Sequence, residues 1–558
     1  MLPVTEKAPV LIVGGSLVGL SAAVFLTHHG IRPILIERHA GSAAHPKALG
    51  FRSRTMEMYR SVGLKDKIPL ARPDFKLVRT RVHSLAGKWY EDSLWIEEKK
   101  KSDSSENEKK TREYDHLADY AWTIGADITQ TDLETVLRDF ATRNGADIRY
   151  STELIRFKQD ANGVSAIVKP RQSGGAEYEI RADYMIAADG NRSSVRESLS
   201  IQRHGRGYMQ TIRSILFEAP ALKEYRDKGP SQFTIDQPDM KAFLTYYKHG
   251  RWALMFTDDV QRDEGSYKEA IYKAVGRTDF DLKIITTGEW ETTALIADSF
   301  QSNRIFLAGD SAHTLPPNRG GYGVNTGIAD VWNLAWKLAA VIQGQAKPGL
   351  LDTYETERRS VALLRHDQIF CRQDWKIHAP EGAKPVEPLD DIAVELGELY
   401  CSKAIFSEHQ AVDNQCTAKR PDEWNGQPGT RAAHWWLDGT SSTSIDFYGK
   451  DWVLLTESEQ WKDAAEKLNE SLPGSAVKIR CIQLGVDEKF SDLNGFKKIM
   501  GITSTGASLI RPDGIIAWRA MEIPKSTLPD MTLDVILRQV MAQVAFAEGG
   551  SNTGKGVF

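Results

Sequence analysis

An α/β fold with a Rossmann-like core is what this sequence predicts, and three segments predict it. Near the start, the apolar run Val10-Leu-Ile-Val13 leads into Gly14-Gly15-Ser16-Leu-Val-Gly19 and a helix through Leu26, and the next strand, Ile34-Leu-Ile, closes on Glu37. In the middle, Tyr184-Met-Ile-Ala-Ala ends at Asp189-Gly190, and later Ile305-Phe-Leu-Ala ends at Gly309-Asp310. Each is a short apolar stretch halted by a turn former, the pattern of a buried strand.

The first segment carries the glycine pattern that lets a backbone approach a pyrophosphate at a helix N-terminus. Ser16 stands at the middle glycine of that pattern. Glu37 follows at the ~20-residue distance at which an acid reaches the adenosine ribose, with Arg38 counted beside it among the contacts. His28 and His29 before Gly30 are expected to serve as favourable partners of a helix C-terminus and as its cap. In the third segment, Gly309-Asp310 sets a carboxylate at a strand end where a ribityl hydroxyl could bond it. The Pro316-to-Gly323 loop is stiffened by proline and opened by glycine, so a flat ring can come close. Apolar residues at Val331, Leu334, Ala335, Leu338, Ala339 and Ile342 give the next helix one buried face. Its N-terminus, expected near Asn325-Thr326-Gly327, would aim free amides at an anion. A reduced flavin is such an anion.

Composition narrows the class. A chain of 558 residues with 41% hydrophobic content has room for about three to four domain-sized units. A net charge of −4 and a pI near 6.4 argue against a nucleic-acid partner, which requires a basic face. No stretch approaches the ~20 apolar residues of a membrane span, and no cationic segment precedes an apolar one before Val10, so a cytoplasmic location is expected. Cys371, Cys401, Cys416 and Cys481 have neither metal nor CxxC spacing and read as reduced thiols, with no metal site implied.

The three motifs, in this order, closely resemble those of the class A, single-component FAD-dependent aromatic hydroxylases, the group of para-hydroxybenzoate hydroxylase, phenol hydroxylase and the polyketide-tailoring hydroxylases. Asp189-Gly-Asn-Arg-Ser193-Ser-Val195-Arg196 matches the Asp-Gly motif, and Gln130-Thr-Asp-Leu133-Glu134 matches a segment whose glutamine reaches FAD. The resemblance implies FAD, with NADPH or NADH as transient reductant, O2, and a small aromatic substrate hydroxylated through a flavin C4a-hydroperoxide. It implies contacts to the cofactor from Gly14, Gly15, Ser16, Gly19, Glu37, Arg38, Arg54, Gln130, Asp189, Arg196, Gly309, Asp310, Pro317, Gly323, Val324 and Asn325. Pro317 would line the flavin face where oxygen reacts, the amides of Val324 and Asn325 would meet the pyrimidine end, and Pro317 and Asn325 are the catalytic candidates. These are positioning roles. Leu49 stands where many relatives carry arginine or aspartate, so Lys47, Arg52 or Arg54 must supply any cationic contact. His313 reads as a structural donor within its motif rather than a base.

The organisation follows from the motif positions: a first part of the FAD-binding domain over 1–205 with a mobile loop at 97–113, an antiparallel β-sheet substrate domain over 206–289, and a second FAD part over 290–385. The charged tract Glu97 to Glu113 cannot bury itself. Strands carrying Tyr246, Tyr247 and Trp252, joined at Lys248-His249-Gly250, form a hairpin whose face could roof a flat substrate. Residues 425–558 resemble the thioredoxin-like domain of phenol hydroxylase and anthracycline-type hydroxylases. There Pro512-Asp513-Gly514 makes a tight turn, and only Cys481 is present, so the domain is scaffold or homodimer contact rather than redox partner. A flavin oxidase or dehydrogenase, a Baeyer–Villiger or epoxidising monooxygenase, and a non-catalytic ligand-sequestering flavoprotein remain as alternatives, and no residue names the ring acted upon.

Overall fold

The computed structural model describes residues 5–42, 49–72, 78–90, 117–172, 174–258, 260–317, 321–371, 386–406, 416–439, 441–474, 476–524 and 531–547. The tract at 97–113, Lys47 and residues 318–320 lie outside them.

A parallel sheet forms the first layer. Its strands run in the order Ile305–Leu307, Tyr178–Ala187, Thr5–Val13, Ile34–Ile36 and Asp147–Arg149, each parallel to its neighbour. An antiparallel hairpin of Thr152–Asp160 and Gly163–Pro170 extends from Tyr178–Ala187. The runs read as apolar strands are fully buried because helices cover the sheet: Leu17–His28 and Tyr322–Ile342 pack into one core with it.

The second sheet is almost wholly antiparallel, in the order His313–Thr314, Lys283–Ala297, Arg203–Glu218, Arg251–Phe256, Met240–Tyr246, Gln232–Gln237, Arg79–Val82 and Trp89–Tyr90. The expected hairpin at Lys248-His249-Gly250 is present, with His249 and Gly250 both at positive φ, 64° and 75°. The unit boundaries differ from the sequence expectation. Arg79–Val82 pairs with Gln232–Gln237 and so leaves the first segment for this sheet, covering what would be an open edge. Two long strands, Arg203–Glu218 and Lys283–Ala297, also run straight through the expected limits at 205 and 289. Helix Glu264–Val275 covers one face, burying Trp252, Leu254, Phe256, Phe233 and Leu244 beneath Ile271, Ala274 and Val275.

The C-terminal unit is a four-stranded sheet in the order Ile479–Gln483, Trp452–Thr456, Ala507–Ile510, Ile516–Ala520. The first pair is parallel and bridged by helix Glu459–Ser471. The rest is antiparallel and is followed by helix Leu533–Val544. The Pro512-Asp513-Gly514 turn joins its last two strands. Around Gly429 to Leu437 the expected strand is reduced to isolated bridges at Arg431, Trp436 and Leu437, and the Arg431 side chain pairs with Glu57.

Helix Tyr322–Ile342 departs most from its sequence reading. One buried face was expected, yet every residue from Asn325 to Ala340 is buried. Val331, Leu334 and Leu338 face the parallel-sheet core, while Trp336 and Ala340 pack on the C-terminal unit. No helix of the described residues is long and apolar enough to cross a membrane.

Candidate functional site

The turns singled out in the sequence meet at the carboxyl ends of neighbouring parallel strands, the edge where such sheets bind ligands. Backbone bonds weld them together: Gly14 N donates to Ile36 O (2.9 Å), Ala188 N to Val13 O (2.8 Å) and Ala308 N to Ala187 O (3.0 Å). Gly14 sits at φ +107°, and a Cβ there would come within 2.2 Å of Ala188 O. At Gly19 a Cβ would meet Gly14 O at 1.9 Å, so the helix lies directly on its own turn. Gly15 N donates to Glu37 Oε2 (2.7 Å), which fixes that carboxylate at the adjacent strand end. Its other oxygen takes His39 N (2.7 Å), and Arg38 is exposed beside it.

Ser16 caps the helix without a capping hydrogen bond. Its hydroxyl donates to Glu134 Oε1 (2.7 Å), and Gln130 Nε2 donates to the same oxygen (2.9 Å) and to Ser16 Oγ (3.3 Å). Asp189 is half-buried, and desolvation pushes its carboxyl up. One oxygen accepts from Val195 N (3.2 Å) and the other, Oδ1, is buried with no hydrogen-bond partner among the described residues. Arg196 is also buried, donating to Asn191 O (3.1 Å) and Ser311 O (3.2 Å), which ties the Asp-Gly segment to the Gly-Asp turn.

That second turn is held by a residue the motif reading passed over. Asp330, fully buried in helix Tyr322–Ile342, accepts from Gly309 N (3.1 Å), His313 Nε2 (2.8 Å) and Arg358 Nε (2.9 Å). Burial pulls its carboxyl up, and the His313 and Arg358 charges outweigh that and hold it below the usual range. His313 is thus a buried donor, as its motif suggested. Asp310 stays exposed at the tip of the turn. An acid within an apolar helical stripe was the sequence signal for Asp330.

The helix begins at Tyr322, earlier than expected, capped by Gly321 at φ 57°. The amides at this end without intrahelical acceptors are those of Gly321, Tyr322, Gly323 and Val324. The Asn325 side chain is fully engaged: Oδ1 accepts from Thr55 Oγ1 (2.6 Å) and Arg52 N (3.1 Å), and Nδ2 donates to Gly321 O (2.7 Å). Pro316 is buried and Pro317 exposed beside it.

The expected cationic contacts are committed elsewhere. Arg52 pairs with Glu395 (2.8 Å). Arg54 pairs with Glu57 (2.9 Å) and donates to Asp513 O of the C-terminal unit (3.0 Å). Tyr246 and Trp252 are likewise not on an open roof. Trp252 is fully buried under helix Glu264–Val275, with Tyr246 edge-on to it at 5.2 Å. Tyr247 packs with Leu216 and Ala253, and burial pushes its hydroxyl up to about 12. Alternation put these neighbours on different faces. The face without the helix carries the cross-strand row Ser214, Met255, Phe243 and Thr234, of which Met255, Phe243 and Thr234 are half-buried. His28 and His29, both half-buried, stand at the end of helix Leu17–His28 as expected, His29 being its C-cap with a backbone N–H donating to Phe25 O and Leu26 O, while burial lowers His29 to about 3 and also lowers His28.

A glycine-lined turn, an orphaned buried acceptor at Asp189, an exposed Asp310 and the adjacent N-terminus of helix Tyr322–Ile342 suit a flavin dinucleotide laid along this edge. Comparisons with known proteins point the same way. Residues 7–367 match the model of the FAD binding domain family, and 425–543 match that of the aromatic-ring hydroxylase C-terminal domain. The chain is 35% identical to 4-methyl-5-nitrocatechol 5-monooxygenase of Burkholderia sp, covering 97% of this chain and 99% of that protein. It is 34% identical to tetracenomycin A2 monooxygenase-dioxygenase of Streptomyces glaucescens, over 98% and 99%. Among solved structures it superposes with TM-score 0.81 and 30% identity on a ternary complex of aklavinone-11 hydroxylase with FAD and aklavinone, covering 97% and 99% of the two chains.

Proposed function

Because this chain belongs to the FAD-binding aromatic-ring hydroxylases, we propose that it is an NAD(P)H-consuming monooxygenase that inserts one oxygen atom of O2 into a phenolic or polycyclic, polyketide-like aromatic ring. The observation that carries this reading is the meeting of the Gly14, Asp189 and Gly309-Asp310 turns along one sheet edge beside the Tyr322 helix N-terminus. Bound FAD supplies the relay of electrons from the nicotinamide and the activation of oxygen.

The chain's own residues position and exclude. Glu37 would hold the ribose, and the Gly14-to-Gly19 turn would offer amides to the pyrophosphate. Asp189 Oδ1 and Asp310 would accept hydroxyls along the ribityl chain. The Val324 and Asn325 amides would meet the pyrimidine end, where negative charge gathers on reduction, and Pro317 would line one side of the ring. The row Phe243, Met255, Thr234 and Ser214 is the better candidate for a substrate wall than Tyr246 and Trp252, because it lies on the face that no helix of the described residues covers. No described side chain is a free base placed by this geometry, which favours a substrate whose own hydroxyl ionises readily. The βαβ unit, hairpin and closing helix of the C-terminal part support a thioredoxin-like reading without redox chemistry, with the protein at work in the cytosol.

The test is to purify the full chain and follow NADPH and NADH oxidation over a panel of phenols and polycyclic quinones. A yellow protein whose reductant consumption rises with an aromatic effector, giving a product heavier by one oxygen atom, is expected. A colourless protein that does not take up FAD, or substrate oxidation that proceeds without reductant, would refute the proposal.

A further inference from the structure

Serine at the middle position of a dinucleotide fingerprint poses a physical problem. That position is glycine so that the backbone can approach the pyrophosphate closely, and a serine there brings a hydroxyl into the approach. As an N-cap, its oxygen would ordinarily turn back to the second or third amide of the helix, taking a donor that a phosphate needs. In this chain it does neither. Ser16 makes no capping bond, and its hydroxyl donates sideways to Glu134 Oε1 at 2.7 Å.

Glu134 is itself unusual. It is 2% exposed, lies one turn into helix Gln130–Arg143, and receives hydrogen bonds from Ser16 Oγ and Gln130 Nε2 with no ion pair recorded for it among the described residues. A buried acid served by neutral donors is costly to keep, so its retention beside an anion-binding turn calls for a compensating gain. We propose that Glu134 is a positioning residue that draws the Ser16 hydroxyl out of the pyrophosphate path and thereby lets serine stand where the fingerprint needs glycine. Gln130, bonded to both, fixes the acid's rotamer. The inference rests on the reading of this edge as the FAD seat. It assigns Glu134 a role defined by its effect on Ser16 rather than by contact with the cofactor.

The test is titration of the apoprotein, prepared from the full chain, with FAD, read by quenching of flavin fluorescence. Glu134→Leu should weaken FAD by about ten-fold, the worth of one competing hydrogen bond. In a Ser16→Gly background the same substitution should cost less than about two-fold, because no hydroxyl is left to misplace. Glu134→Gln keeps an acceptor oxygen and should stay close to the parent, and Ser16→Ala should leave FAD affinity within about two-fold. Equal loss on Glu134→Leu in both backgrounds would mean a purely structural acid and would overturn the proposal. So would a ten-fold weakening by Ser16→Ala, which would show the hydroxyl bonding the phosphate. If Glu134→Leu does not fold, Glu134→Ala read in the parent and Ser16→Gly backgrounds decides in its place, with the same two outcomes. A parent chain that binds no FAD would overturn the proposed function together with this inference, whereas tight FAD with the wrong pattern overturns only this inference.

Discussion

Replacing Arg511 with methionine should destabilise the protein by ~3–5 kcal/mol, the cost of leaving a buried charge without its partner. Arg511 is fully buried in the C-terminal unit and donates to both oxygens of Glu357, at 2.6 and 2.9 Å, and to Asp513 Oδ1 at 3.0 Å. Glu357, on helix Asp352–Phe370, also takes Lys337 (2.9 Å), Asn333 (2.6 Å) and Ser402 (2.6 Å). Two cations and two anions therefore balance inside a buried interface, and removing one cation leaves an anion in excess. Methionine ends about where the arginine Nε sits, so the guanidinium's place over the Trp336 ring, 5.3 Å from its centroid, is left empty and a cavity term is part of the expected loss. Adding Glu357→Gln restores neutrality, with Lys337 opposite Asp513, and should recover ~2 kcal/mol of the loss. The exposed pair Arg156 and Glu177, with side chains 62% and 40% accessible, should give less than ~1 kcal/mol in the same double-mutant cycle. Urea unfolding followed by tryptophan fluorescence measures all of these. A loss below ~1 kcal/mol for Arg511→Met, or a double variant no more stable than the single, would refute the view that this cluster joins the units.

Other expectations follow from the same geometry. Asp310→Ala removes an exposed carboxylate from the ribityl path and should weaken FAD by ~10–100-fold, seen as loss of yellow colour on gel filtration; stoichiometric flavin would displace Asp310 from that role. Phe243→Ala should raise the effector concentration needed for NAD(P)H oxidation while leaving the melting temperature nearly unchanged. Trp252→Ala should instead cost ~3–5 kcal/mol of stability, and the reverse pattern would return Trp252 to the substrate wall. Glu57, Asp330 and Glu357 are each pulled up by burial and held lower still by adjacent cations. Their folded values lie below the ordinary 3.8 and 4.5 of Asp and Glu, so the unfolded chain binds more protons in that window and stability rises with pH there. Urea midpoints should be flat from neutral pH down to about 5 and fall below about 4, with a shallower fall in Glu357→Gln; an unchanged slope in that variant would remove Glu357 from the account.

The amino-acid sequence by itself determined the parallel sheet, its glycine turns and the hairpins. A strand ending in Gly14 or Gly309, or a turn at His249-Gly250, is specified by residues adjacent in the chain, through φ preference and apolar runs. Tyr246 and Trp252 show where that reading stops. Both are aromatic residues of one hairpin, but which sheet face they occupy matters only once helix Glu264–Val275 covers it. The same holds for the charges. Arg54 looked available to a cofactor, yet its partners are Glu57 and Asp513 O, and Arg431 reaches Glu57 across 374 positions of chain. The Pro512-Asp513-Gly514 turn was legible as a turn, while its burial against Trp332 and Asn333 was not. Tertiary structure decided these because a buried charge is tolerated only when a partner meets it, and that partner comes from whichever distant segment packing brings alongside.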